Sequence, residues 1–245
     1  MLLLNADLGE SWYDRQIGDD AGLMPYLDLC NLACGFHGGD ALTMQRTIAL
    51  ALEHGVKIGA HPSFPDRANF GRQVMELPAD QLEALLLYQV AALQGMTWAA
   101  GAAASLHHLK PHGALYHYAN AHPLAAGAVA GVAAKLGIPH LLGPPTGELR
   151  RAVDAEGLAF LAEGFADRRY DPSLHLRPRT ETDACIDGVA EAVEQALLLA
   201  RGQVRTTDGS SRELQIATLC LHGDHAGAVE RARAIREALD AIPPQ

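Results

Sequence analysis

Seven short apolar runs recur along the chain, and a polar cluster follows each one. The runs span residues 2–4, 29–33, 56–59, 106–109, 140–142, 158–162 and 216–221. Runs this short, bounded by turn signals, read as buried strands rather than helices. Helical patterns separate them at 40–54, 78–100, 123–136, 146–155, 183–200 and 224–239. In the first pattern Asp40 is placed as N-cap and Gly55 as the stop, with Met44, Ile48 and Leu52 at helical spacing. Parallel strands need such crossovers, which then cover the sheet. The alternation predicts an α/β fold, with seven strands in a closed or nearly closed (β/α)7 barrel-like arrangement. A barrel explains why each polar cluster falls at a strand's C-terminal end, where barrel enzymes build their sites. An open doubly wound sheet is the alternative that strand counting leaves standing. At 245 residues, 49% of them apolar, the chain suits a single α/β barrel domain over 1–245. Residues 201–214, RGQVRTTDGSSREL, read as an exposed loop, and the tail 242–245 as a frayed end.

Charge and cysteine usage narrow the function classes. The formal net charge is −10, and lysine occurs only as Lys57, Lys110 and Lys135. A nucleic-acid binder needs a basic face to meet phosphate, so no nucleic-acid partner is expected. No apolar stretch reaches the length of about 18 residues that a membrane span needs. The opening run MLLL is short for a signal peptide and follows no basic region. A cytoplasmic protein without a membrane partner is expected. Cys30 and Cys34 stand in CxxxC spacing, unlike the usual zinc or redox CxxC. With Cys185 and Cys220 they read as free thiols in a reducing compartment.

Six clusters carry the chemistry. In NADLGE, Asn5 and Asp7 are two apart and share one face of a strand, with Glu10 just beyond; a capped turn is the plainer reading. NLACGFHGGD (31–40) sets His37 in a glycine-rich turn, as either a functional or a hydrogen-bonded structural histidine. It is no P-loop, since GxxxxGK[ST] is absent. In GAHPSFPD (59–66), His61 follows a strand directly and Pro62 forbids a helix there. Arg72 beyond it is either a surface residue or a bidentate holder of carboxylate or phosphate. In LHHLKPHGALY (106–116), His108, Lys110 and His112 share a face if the strand continues through Pro111, and His107 faces away. Tyr116 is a donor or helix packing. EGFADRRYDP (163–172) brings Glu163, Asp167 and Arg168 to a loop long enough for a lid, or to a solvated charge run. CLHGD (220–224) sets His222 after a strand, with Asp224 placed as a helix cap. Four strands that each deliver a histidine to one end imply acid/base or metal work on a small polar substrate. The candidate catalytic set is Asp7, His37, His61, Lys110 and His112. Asn5, Glu10, Arg72, Glu163, Asp167 and His222 are the candidate substrate-binding residues. His112 is expected to act as general base and Lys110 to steady an oxyanion or the substrate's carboxylate.

NADLGE (5–10), NLACGFHGGD (31–40), GAHPSFPD (59–66), FGR (70–72), KPHGALY (110–116), FADRRY (165–170), PRTE (178–181) and CLHGD (220–224) together resemble the LamB/YcsF family. That family is the A component of ATP-hydrolysing 5-oxoprolinase, and the resemblance covers essentially the whole chain. Two small departures are GFHGGD in place of GFHAGD and HPSFPD in place of HPGFPD. The resemblance implies a (β/α)7 barrel of the glycoside hydrolase/deacetylase type. It implies a reaction that opens 5-oxo-L-proline to L-glutamate using ATP, with Mg accompanying the nucleotide. It also implies partner subunits B and C, which would share the handling of ATP. An unstrained lactam is a poor electrophile, and phosphorylating its carbonyl oxygen would activate the carbon. Two other readings remain open. One is a metal-dependent amide hydrolase or carbohydrate deacetylase, with Asp7, His61 and His112 as ligands of a divalent metal. The other is a non-catalytic protein that binds oxoproline or scaffolds its partners.

Overall fold

Side chains alternate across a strand, so one face of each strand must look into the barrel and the other onto its helices. In β1 (Leu3–Leu8), Leu4, Ala6 and Leu8 are the buried apolar set under the helices, and Asn5 and Asp7 take the opposite face. The computed structural model describes residues 2–102 and 106–243. After β1 come β2 (Leu29–Ala33), β3 (Lys57–His61), β4 (His108–Leu109), β5 (His140–Gly143) and β6 (Ala159–Phe165). A hairpin of β7 (Gln203–Arg205) and β8 (Ser211–Glu213) precedes β9 (Thr218–Leu221). The strands β1-β2-β3-β4-β5-β6-β9 form a closed, all-parallel barrel, because β9 pairs with both β6 and β1. The seven strands are the seven apolar runs.

Helices α1 (Asp20–Leu23), α2 (Ala41–His54), α3 (Ala79–Ala99), α4 (Gly113–Ala121), α5 (Pro123–Lys135), α6 (Glu148–Glu156), α7 (Val189–Ala200) and α8 (Ala228–Asp240) surround it. Local sequence sets their ends. Asp40 Oδ1 accepts from the N–H groups of Leu42 and Thr43 at the start of α2, and Gly55 closes that helix in the left-handed region at φ 69°. The other oxygen of Asp40 accepts from the Tyr13 N–H, tying the β1–α1 loop to the same cap. None of the described helices is long and apolar enough to cross a membrane.

The lumen is packed with polar groups, and they satisfy one another. Asn5 Nδ2 donates to Thr218 Oγ1 at 2.8 Å. Asn31 Nδ2 donates to Asn5 Oδ1 at 2.7 Å and to Asp7 Oδ1 at 2.8 Å. His108 Nε2 donates to Asn31 Oδ1 at 2.7 Å. Asn5, Asn31, His108 and Thr218 are all fully buried. His108 starts on β4 and reaches β2 across β3, which is possible because β3 carries Gly59 there. A Cβ on Gly59 would collide with the His108 ring. Burial holds the His108 pKa well below its usual value, which keeps the ring neutral.

Several sequence expectations move. Residues 201–214 contain the β7–β8 hairpin, whose short edge residues are mostly polar and therefore look like loop. Helix α7 begins at Val189 rather than at 183, because residues 166–188 fold back through bridges between Arg168 and Cys185 and between Tyr170 and Leu176. Helix α8 is capped by Gly227, not by Asp224, whose carboxylate pairs with Arg72. Helix α4 is additional to the helical patterns, because its periodic apolar positions hide inside the KPHGALY cluster. The last two residues of the tail lie outside the described residues.

Gly59→Ala is expected to cost about 2 kcal/mol or more through overpacking against His108. Thermal melting should fall by roughly 4–8 °C for a chain of this size. Combining it with His108→Ala should cost less than the sum of the two single changes, since the clash is then gone. Additive losses would show that the two positions do not touch.

Candidate active site

The barrel's C-terminal mouth gathers side chains from strand ends and from the loops above them. Asp7, His61, Glu163 and Cys220 lie within the last three residues of β1, β3, β6 and β9. Lys110 follows β4, where Pro111 ends regular pairing, yet two further bonds keep the segment in line. Lys110 N–H donates to the Ala60 carbonyl and His112 N–H to the Pro62 carbonyl. His108, Lys110 and His112 therefore stay on one face. The loops add Glu10, His37, Phe70–Arg72, Asp167, Arg179 and His222. They enclose a cavity of about 400 Å³ lined by Asp7, Glu10, His61, Lys110, His112 and His222 among others, a size suited to a small ligand.

Lys110 is the charge at the floor. Its Nζ lies 2.9 Å from Asp7 Oδ1, 2.9 Å from Glu163 Oε1 and 3.2 Å from Cys220 Sγ. The Glu163 contact is an ion pair without hydrogen-bond alignment. Burial opposes the ammonium, but Asp7, Cys220 and Glu163 outweigh it and hold the Lys110 pKa well above the usual range. The ammonium thus faces three protein atoms while still lining the cavity. Burial likewise raises Asp7, and His61 and Lys110 overcome it, so Asp7 stays ionised.

Above the floor stands a histidine cluster. His61 Nδ1 donates to the Lys110 carbonyl at 2.8 Å, and His112 Nε2 donates to the Phe70 carbonyl at 2.8 Å. A carbonyl only accepts, so both nitrogens carry hydrogen. The remaining nitrogens, His61 Nε2 and His112 Nδ1, face each other at 2.9 Å. Two neutral rings would point bare lone pairs at one another. A cation must lie between or beside them: a proton on His61 Nε2, which also sits 3.2 Å from Asp7 Oδ2, or a metal ion. His37 stacks flat on His112, with centroids 3.6 Å apart, and its Nε2 is 3.2 Å from Glu10 Oε1. Burial first, then His61, holds His112 well below its usual pKa, and burial and His112 do the same to His37. Gly71 makes the stack possible. It sits at φ 66°, and a Cβ there would come within 2.8 Å of both His37 and His112.

Glu10 and Asp7 are driven apart. Burial, then the charges of Asp7 and Asp224, push the Glu10 pKa well above the carboxylate range. Two carboxylates in one site, one kept ionised and one disposed to hold a proton, are the usual marks of acid/base division. Across the cavity, Asp167 accepts from the His222 N–H at 2.8 Å and from His222 Nδ1 at 3.0 Å. That orients the ring and leaves His222 Nε2 at the cavity wall without a hydrogen-bond partner among the described residues. Both nitrogens of His112 are engaged by other groups of the protein, whereas His222 Nε2 faces the cavity.

The sequence candidates thus fall into groups. Asp7, Glu10, His61, Lys110, His112, Arg72 and His222 line the cavity. Asn5, Glu163, Asp167 and His37 stand behind it, where they hold Asn31, Lys110, His222 and Glu10 respectively. Arg72 is paired with Asp224 at 3.0 Å. Asn31 is a further site residue outside the sequence candidates, although a polar residue in the otherwise apolar run 29–33 is a usable signal. His117 on α4, and Arg168 and Arg179 in the β6–α7 loop, also line the wall; nothing in the sequence separates such residues from solvated charge.

The LamB/YcsF family model matches residues 2–243. The chain is 46% identical over 240 residues to the 5-oxoprolinase A component of Methylococcus capsulatus, covering 97% of this chain and 92% of that one. It is 43% identical to the 5-oxoprolinase A component of Nocardia farcinica, covering 97% and 95%. The crystal structure of a lactam utilization protein from Thermus thermophilus matches with a TM-score of 0.90 at 39% identity, over 98% of this chain and 96% of that one.

The Asp167–His222 pair gives a pH prediction. Burial raises Asp167, but His222 and its hydrogen bonds outweigh it, so the folded pKa is depressed. Its stabilisation is present above the unfolded carboxylate value near 4 and is lost as pH falls below it. Asp167→Asn should cost roughly 2 kcal/mol at pH 7. Its melting curve should converge on wild type as pH drops below about 4. A gap that stays constant or widens there would mean that the charge is not what stabilises.

Proposed function

The chain belongs to the LamB/YcsF family, and on that premise we propose that it is the A component of an ATP-dependent 5-oxoprolinase. It opens the 5-oxo-L-proline lactam to L-glutamate together with partner subunits B and C, working as one barrel unit in the cytoplasm. The observation that carries this reading is the pair of proton-handling groups facing one cavity, Glu10 with His112 on one wall and His222 on the other.

Lactam opening needs a proton removed from water and a proton delivered to the ring nitrogen. His222 Nε2, bare and oriented by Asp167, takes the proton from water as its oxygen bonds to the carbonyl carbon. The C–N bond then breaks, and Glu10, disposed to hold a proton and 3.6 Å from His112 Nδ1, delivers one to the departing nitrogen. Asp7, kept ionised by His61 and Lys110, fixes the His61 ring beside the cavity. ATP, with its Mg, is assigned to the assembly with subunits B and C, since this chain lacks the phosphate-cradling GxxxxGK[ST] loop. The γ-phosphoryl group of ATP would pass to the lactam carbonyl oxygen before water attacks, remain on the acyl product when the C–N bond breaks, and leave as phosphate when a second water hydrolyses that product. The free, mostly buried cysteines fit a reducing compartment.

A second reading, a metal-dependent amide hydrolase or carbohydrate deacetylase, draws on one observation. Glu10, His37, His61 and His112 offer ligand atoms that all lie within 4.8 Å of one another. This set shares His61 and His112 with the triad read from sequence, whose Asp7 has Oδ1 held by Lys110 and Asn31 and Oδ2 at 3.2 Å from His61 Nε2. A divalent cation held there would polarise a carbonyl as a Lewis acid.

Purified chain alone with oxoproline and ATP should form no glutamate, and glutamate should appear when subunits B and C are added. In that mixture His222→Ala and Glu10→Gln should each lower turnover by roughly a hundredfold or more. Full activity in both variants would remove the proposed roles. One equivalent of tightly held metal, with activity lost on chelation and restored by the metal, would favour the second reading.

A further inference from the structure

The cavity's outer wall, on the β6–α7 loop and α4, brings together Arg168, Arg179 and His117. Arg168 is nine-tenths buried and directs its Nη2 to the Arg177 carbonyl at 2.6 Å. Arg179 donates to His225 Nε2, at 3.2 Å, and to no other group among the described residues. Among the described residues, neither Arg168 nor Arg179 forms an ion pair with a carboxylate, whereas Arg72 pairs with Asp224 and Arg177 with Glu181 and Asp183. Asp167, the acidic neighbour in sequence, is taken by His222. Burial and then Arg179 lower the Arg168 pKa, and burial followed by Arg168 and Arg179 lowers that of His117. Like charges have been packed together at the cavity, and the carboxylates that act on them, Asp167 and Asp224, are already held by His222 and Arg72. That arrangement is costly when empty and favourable when an anion enters.

We propose that Arg179, backed by Arg168 and His117, is the anion-recognition subsite of this cavity and takes an oxyanion group of the ligand. Resting on the lactam reading above, the oxyanion has two sources: the carboxylate of 5-oxoproline, or a phosphoryl group on its activated carbonyl. Both match the planar fork of an arginine. The role expected at Arg72 passes to Arg179, because Arg72 already has a carboxylate.

The test is titration calorimetry on the full chain with three probes: 5-oxoproline, pyrrolidin-2-one, which lacks the carboxylate, and inorganic phosphate. Wild type is compared with Arg179→Gln, Arg179→Lys and, as a charge-matched control, Arg169→Gln, whose arginine pairs with Glu191 away from the cavity. Arg179→Gln should weaken the oxyanion probe roughly tenfold to a hundredfold, the scale of one lost charge-assisted pair. Arg179→Lys should recover part of it, and pyrrolidinone and the control should show no change. Loss confined to oxoproline identifies the carboxylate, and loss confined to phosphate identifies the phosphoryl group. Phosphate binding that depends on Arg179, with no binding of either lactam, would keep the subsite and sink the lactam reading. Wild type that binds neither oxoproline nor phosphate, or a folded Arg179→Gln that binds both as well as wild type, would overturn the proposal.

Discussion

A buried ammonium cannot stand alone, and the neutralisation of Lys110 organises this barrel. The side chain enters the lumen from the end of β4 and meets Asp7 from β1, Glu163 from β6 and Cys220 from β9. Removing one partner of such a group costs several kcal/mol, about 3–5 in comparable buried pairs. The strands that deliver these residues are thereby held at one register. Below them, Thr218, Asn5, Asn31 and His108 extend the same logic, each satisfying the next in a place without water. Asn31 links the two layers, since it also holds the Asp7 oxygen that Lys110 touches. The lumen is a polar scaffold for one carboxylate.

That carboxylate separates the behaviour of everything above it. Asp7, kept charged, sits 3.2 Å from His61 Nε2 and adds to burial in raising the pKa of Glu10. The backbone carbonyls of Lys110 and Phe70 then dictate where the hydrogens on His61 and His112 must be. The His61 and His112 rings cannot both be neutral without facing lone pairs, which suits a site that exchanges a proton or holds a cation. The Asp167–His222 pair across the cavity is a simpler device, an oriented ring with one nitrogen at the cavity wall.

The fold was legible because hydrophobic period and turn residues agree along the whole chain. All seven barrel strands coincide with apolar runs, and α2 begins and ends at the Asp and Gly read as its caps. Boundaries failed where tertiary contacts rule. The segment before α7 is occupied by backbone bridges, and Asp224 is drawn from capping to pair with Arg72, a partner 152 positions away. At the site, residue types and strand ends gave the right neighbourhood. They did not distinguish Glu163 and Asn5, which brace other groups, from Glu10 and His222, which reach the cavity. That difference depends on which way a loop turns after a strand. It also depends on small residues such as Gly59 and Gly71, whose importance lies in the rings packed against them.

The charge state of the site turns on where the hydrogens lie between His61 and His112. Nitrogen-15 NMR of the imidazoles at neutral pH measures this directly in the metal-free chain. Protonated His61 Nδ1 and His112 Nε2, with a single shared hydrogen between His61 Nε2 and His112 Nδ1, is the predicted result. An unprotonated His61 Nδ1 or His112 Nε2 would contradict it, because the carbonyls of Lys110 and Phe70 would then lack their donors and the cluster would need no cation.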